Sequence, residues 1–195
     1  MAKIIQAAMP VMGFGVHNYL ALVDNSGNVV RELHGVARDG NGNLASWTTT
    51  GTLFATNSVS WNTFSTDAKH ELASGTMTQM SQLFSAGEAC ATSITEKAVT
   101  YGVLAGGNSY NSNSAFISMA ACMGLDTKVA DMPGYEPGVD KHVLTQSEIN
   151  AIRDLFRFDL PVPTWPEPSS GNAAPIADTS VTLVGVSDVH AAATC

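Results

Sequence analysis

The stretch "HNYLALVDNSGNVVRELHG", His17 to Gly35, constrains the fold more than any other part of the chain. Two β-rich runs flank "DNSG", whose Asn, Ser and Gly suit a tight reversal, so a β-hairpin is expected. If Asn25 and Ser26 form a two-residue loop, His17 falls directly opposite His34. Glu32 then shares their face, because side chains alternate with a period of two. A one-residue bulge at Gly27 would break that register.

Strand-like text continues on both sides of the hairpin. The opening "MAKIIQAAMPVMGFGV" carries one Lys and a short apolar stretch. Gln6 and Pro10 interrupt that stretch and no clear small-x-small cleavage site follows, so it reads as a first strand in preference to a signal peptide. Localisation is left open. From Gly40 to Ser65, "TLFA" and "VSW" look like short strands joined by Gly-, Asn- and Thr-rich loops.

The period then changes to that of a helix. Met80, Leu83, Phe84, Ala91, Ile94 and Ala98 predict an amphipathic helix from about Thr78 to Val99. Ala115, Phe116, Met119, Ala120 and Met123 predict a second, with Gly124 as its stop. A third opens at "TQSE", where Thr145 and Glu148 make a capping box and Ile149, Ile152 and Leu155 or Phe156 supply the buried face. After Leu160 the chain is Pro-, Ala- and Ser-rich, with "VTLVGV" as a candidate docked strand. The expected organisation is an α+β domain over residues 1–160, a hairpin-rich antiparallel sheet on two or three helices, followed by a tail over 161–195.

Composition excludes several function classes. Nine basic against seventeen acidic residues give a net charge of −8, which argues against nucleic acid and anionic membrane surfaces. No run approaches a membrane span. Cys90, Cys122 and Cys195 form neither a CxxC pair nor a zinc pattern, so two buried reduced thiols and one terminal thiol are expected. "DGNGN" at Asp39 resembles a calcium loop, but Leu44 and Thr50 stand where that loop needs Gly and Glu, so a polar turn is expected. Gly106 and Gly107 lack the Lys of a phosphate loop. No metal and no cofactor is expected. A homo-oligomer or a contact made by the tail stays open.

What remains is the crowd of small polar residues in "GGNSYNSNSAF", Gly106 to Phe116, directly before the second helix. A helix N-terminus offers unpaired amides and a positive dipole end, which suit a developing oxyanion. Ser112 there would need a base, which His17 can supply, with His34 or Glu32 orienting it. The amide of Ser112 and the side chains of Asn111, Asn113 or Asn108 would hold the oxyanion or substrate. The competing reading makes Ser112 or Ser114 a plain helix cap and the Asn-rich run a loop bonded to its own backbone.

A strand histidine, a hairpin, a long helix and then "NSNSAF" opening a second helix resemble the permuted papain-fold hydrolases. Those include the PPPDE-type peptidases, the lecithin retinol acyltransferase-like enzymes and relatives of NlpC-type cell-wall peptidases. The similar region spans about Val16 to Leu125. In PPPDE-type members a motif resembling "NCNxF" carries a nucleophilic cysteine, so Ser112 stands at the position of that Cys. His17 matches the strand histidine, and His34 resembles the second polar partner of acyltransferase-like members. The resemblance implies a papain-like fold and hydrolysis of a peptide or acyl bond through an acyl-enzyme. The departure matters chemically, since a thiolate forms readily beside an imidazolium whereas a hydroxyl needs concerted proton removal. The alternative is a binding or structural module on the same scaffold, without catalysis.

Overall fold

The computed structural model describes residues 1–11, 15–45, 51–57, 64–127 and 136–156. The segment "VSW" and the whole expected tail, with its candidate strand and Cys195, lie outside them. Among the described residues, six strands form one curled antiparallel sheet: β1 (Ala2–Val11), β2 (Gly15–Val23), β3 (Val29–Arg38), β4 (Gly51–Thr56), β5 (Ala68–Gly75) and β6 (Thr100–Tyr101). Their order is β5-β1-β2-β3-β4-β6, a four-strand meander with a later strand added at each edge. Three helices, α1 (Met77–Glu96), α2 (Ser112–Cys122) and α3 (Gln146–Phe156), complete the α+β fold. β5 is an element that the sequence reading did not identify.

The alternation of strand residues decides which face the helices cover. Ile4, Leu20, Leu22, Leu33 and Leu53 point to the helices and join Phe84, Ile94, Phe116, Met119 and Ile149 in one core. Their neighbours Ile5, Ala7, Tyr19, Ala21 and Val23 form a smaller cluster on the other face. α1 starts in a capping box between Thr76 and Gln79. α2 ends as expected, with Gly124 at φ 72° and the amide of Leu125 on the carbonyl of Ala120 at 3.0 Å. Arg153 of α3, itself buried, donates Nη1 to the carbonyl of Ala121 at 3.1 Å and so satisfies the end of α2. At the start of α3, Thr145 and Glu148 make the expected reciprocal bonds. Leu155 is exposed and Phe156 packs on the core.

The hairpin forms, but not in the expected register. A two-residue loop would set Leu20 against Arg31; instead Leu20 faces Leu33 and Ala21 faces Glu32. The cause is Asp24. Its Oδ1 accepts the amides of Ser26 and Asn28, both at 2.8 Å, closing a longer loop in which Gly27 takes φ 87°. His34 therefore lies beside Tyr19, their ring centroids 4.5 Å apart, and not directly opposite His17. Because the displacement is an even number of residues, no side chain changes face. His17, His34 and Glu32 stay together.

β2 and β3 pair from Val23 only as far as Leu20 and Leu33. Beyond that point β2 continues along β1, with His17 opposite Met9, while β3 continues along β4, with His34 opposite Thr56. The N-terminal turn of α2 occupies the resulting split. Gly35 makes this approach possible: a Cβ there would lie 2.6 Å from Ala115 Cβ and 3.0 Å from the Cα of Ser112. Gly35→Ala is expected to cost about 1–3 kcal/mol through overpacking. Urea denaturation would measure it, and an unchanged midpoint would show that α2 does not seat on Gly35.

Candidate functional site

Asn113 fastens α2 into the split. Its Oδ1 accepts the backbone amide of Asn18 at 2.9 Å, and its Nδ2 donates to the carbonyl of Val16 at 3.0 Å. One side-chain amide thus takes the part of the strand that β2 lacks there. Asn113 Nδ2 also donates to the carbonyl of Pro137 at 3.2 Å. Behind it, Gln6 Nε2 donates to Asn18 Oδ1 at 2.9 Å, and Asn18 Nδ2 donates to Asn113 Oδ1 at 3.2 Å.

The helix cap is Asn111, neither Ser112 nor Ser114. Asn111 Oδ1 accepts the amides of Asn113 and Ser114, both at 3.0 Å, and its Nδ2 donates to the carbonyls of Val103 and Pro137 at 2.8 Å. Ser114 closes the capping box and donates Oγ–H to the carbonyl of Gly138 at 3.1 Å. Both asparagines expected to meet substrate thus spend both amide hydrogens on the protein's own backbone. Asn108 is exposed in the preceding turn and is not among the residues lining the cavity described below. Ser112 is the first residue of α2, where a helix leaves its backbone amides without intrahelical partners.

The turn itself is stapled by Lys141. Its Nζ donates to the carbonyls of Ala105, Gly107 and Ser109 and lies 4.4 Å from the Tyr110 ring centroid. Burial lowers its pKa, an effect that Asp140 opposes.

On the other face of the sheet, His17 Nε2 lies 3.1 Å from His34 Nδ1, and His34 Nε2 lies 3.1 Å from Glu32 Oε2. The two rings are parallel within 6° with centroids 5.5 Å apart, too far for face-to-face stacking, so they meet edge to edge. All three side chains are buried. The chain of bonds assigns the tautomers. A carboxylate at Glu32 only accepts, so Nε2 of His34 carries hydrogen; a neutral His34 then accepts at Nδ1 from Nε2–H of His17. Nδ1 of His17 is left as that ring's basic nitrogen. Burial, reinforced electrostatically by the neighbouring His34, holds the pKa of His17 well below the ordinary imidazole value.

His17 and Ser112 both line a cavity of about 470 Å³ at the open end of the split. Its other walls come from the ends of β1, β2 and β3 and from Tyr101, Val103 and Pro137. Tyr101 stands in the same wall as Ser112; burial raises the pKa of its phenol and the nearby Ser112 partly offsets that rise. Tyr101 is a site residue the sequence reading missed. Its only available signal was an aromatic just ahead of the Gly-Asn-Ser run, which also suits a core position.

Other expected features resolve simply. Asp39 Oδ1 accepts the amides of Asn41 and Asn43 at 2.9 Å, the bonding of a polar turn. Cys90 and Cys122 are buried and free. Burial and a bond to Cys122 push the Cys90 thiol up. Among the described residues no helix is long and apolar enough to cross a membrane. No family model, curated protein or solved structure matches this chain.

Two outcomes follow from this geometry. Asn113→Leu strands the Asn18 amide and the Val16 carbonyl in a buried split, at a cost of about 3–5 kcal/mol. A thermal midpoint within a degree or two of the parent would contradict that. The second concerns acid. His17 and His142, the latter lowered to about 4 by burial, refuse protons that their unfolded counterparts accept. Above about pH 6.5 both states leave these rings neutral, so they add no slope. As pH falls below that value the unfolded chain binds more protons, and stability should fall. Urea midpoints between about pH 7.5 and 5 would check this, with His142→Gln reducing the fall.

Proposed function

We propose that the chain is a hydrolase of amide, peptide-like or related acyl bonds, working through an acyl-enzyme on a permuted papain-like scaffold. One observation carries the reading: a Glu32–His34–His17 relay ends in the same cavity wall as a serine at a helix N-terminus. The order of strand histidine, hairpin and helix-borne nucleophile supports the papain-like comparison, as an argument by likeness of arrangement.

In this reaction Ser112 Oγ attacks the substrate carbonyl carbon while its proton passes to Nδ1 of His17. The C–O bond forms, the carbonyl electrons move onto oxygen, and the amide of Ser112 receives that charge. Collapse expels the leaving group, which takes the proton from His17. Water then attacks the acyl-serine, His17 again taking and returning a proton. His34 holds the His17 ring in its tautomer, and the carboxylate of Glu32, through its bond to His34, offsets the charge of the imidazolium as it forms. Tyr101, which lines the same wall as Ser112, is assigned to position its hydroxyl. Approach of that hydroxyl to His17 belongs to the substrate complex, where such bonds tighten.

Ser112→Cys is expected to preserve or raise hydrolysis of activated acyl substrates, because a thiol loses its proton more readily. His17→Ala should lower kcat/KM by about 10²–10⁴-fold. The lowered pKa of His17 keeps it basic in mild acid, so the acid limb of kcat/KM should lie below about pH 6.5. If parent, Ser112→Cys and His17→Ala proteins behave alike toward acyl substrates and serine- or thiol-directed probes, the site is a binding cavity without catalysis.

A further inference from the structure

We infer that the acyl group accepted beside Ser112 is an uncharged, unbranched alkyl chain of medium length, an assignment that rests on the acyl-enzyme reading and narrows its substrate. The first support is the wall. Met9, Val11, Val16, Val36, Val103 and Pro137 supply apolar surface, and none of the described lining residues is Asp, Glu, Lys or Arg. A carboxylate or ammonium on the acyl side would be desolvated there without a partner, at a cost of several kcal/mol.

The second support is the commitment of the polar groups that do line the cavity. A peptide entering the cavity would need bonds for each amide it strips of water. Asn111 and Asn113 have given both amide hydrogens to Val16, Val103 and Pro137. His17 is engaged with His34. An alkyl chain asks for none of these bonds. Its carbonyl alone is polar, and that is the reacting group.

Size and access agree. A volume of about 470 Å³ lies within the range of sites that enclose small molecules. Leu44 lines the cavity while 53% exposed, which places an apolar side chain at its mouth. An exposed leucine at an entrance favours an apolar entrant over a solvated one.

The test is a series of p-nitrophenyl acetate, butyrate and octanoate with the parent and Ser112→Cys proteins, together with calorimetric binding of octanamide and acetamide to Ser112→Ala. The expected result is a rise in kcat/KM of about fourfold per methylene, the equivalent of ~0.8 kcal/mol, until the chain fills the cavity. Octanamide should bind Ser112→Ala and acetamide should not. Leu44→Asp should narrow the octanoate-to-acetate ratio. Equal turnover of all three esters without octanamide binding would overturn the assignment and leave acyl hydrolysis standing. Preference for a glutaryl ester, whose acyl end carries a carboxylate, would also overturn it. Octanamide binding without hydrolysis by any variant would retain the cavity assignment and remove the catalytic reading.

Discussion

The structure depends on a bond pattern that a strand would normally supply and that Asn113 supplies instead. Where β3 leaves β2 for β4, the amide of Asn18 and the carbonyl of Val16 would face an empty edge. Burying them unpaired would cost more than most single contacts return. Asn113 satisfies both with one planar group, and a helix can present it there only if its first turn enters the split. The placement of Ser112 follows from that entry, since it precedes Asn113 by one residue. Gly35 permits the approach and Asn111 ends the helix in register with it. Site geometry is therefore fixed by backbone hydrogen bonding, before any chemistry is considered.

The same split explains how a histidine on one face of the sheet can share a cavity with a helix on the other. Through a continuous sheet they would be separated by the layer of paired strands. Parting β2 from β3 opens a passage, and the cavity lies in it. The relay side chains are buried, which has two effects. Burial disfavours the charged form of His17, so the resting ring is neutral and basic. It also strengthens any stabilisation that Glu32 gives through His34 when a proton arrives. These opposing effects suit a group that must be neutral at rest and charged only briefly.

How much of this was legible in the sequence depended on the range of the interactions. Local signals were read well: the hairpin existed, the Thr145–Glu148 box formed, and Gly124 ended α2. Each rests on bonds within a few residues. The hairpin register was missed because Asp24 could cap a longer loop, which residue identities alone did not decide against the two-residue one. The face assignment survived since a shift of two keeps it. Asn111 and Asn113 were read as substrate contacts for want of any sign that strand β2 would need a partner from a helix about 95 residues later. β5 was missed for a related reason. "AKHELASG" is half polar, and only pairing with β1 makes it a strand.

Serine at this position is less anomalous in its surroundings than in the motif alone. A thiolate gains from an imidazolium resting beside it, whereas His17 is kept from that state by burial and by His34. A neutral, low-pKa imidazole cannot hold a resting ion pair, but it can take a proton in step with attack, which is what a hydroxyl requires. Tyr101 fits the same scheme: with its own pKa raised by burial, it stays a protonated phenol in the wall it shares with Ser112 and does not compete as a base. Glu32 then matters most while the proton sits on His17, so its contribution is realised during the reaction and not in the resting site. Under the proposed mechanism, the burial that makes a thiolate hard to sustain is the condition that lets a serine serve.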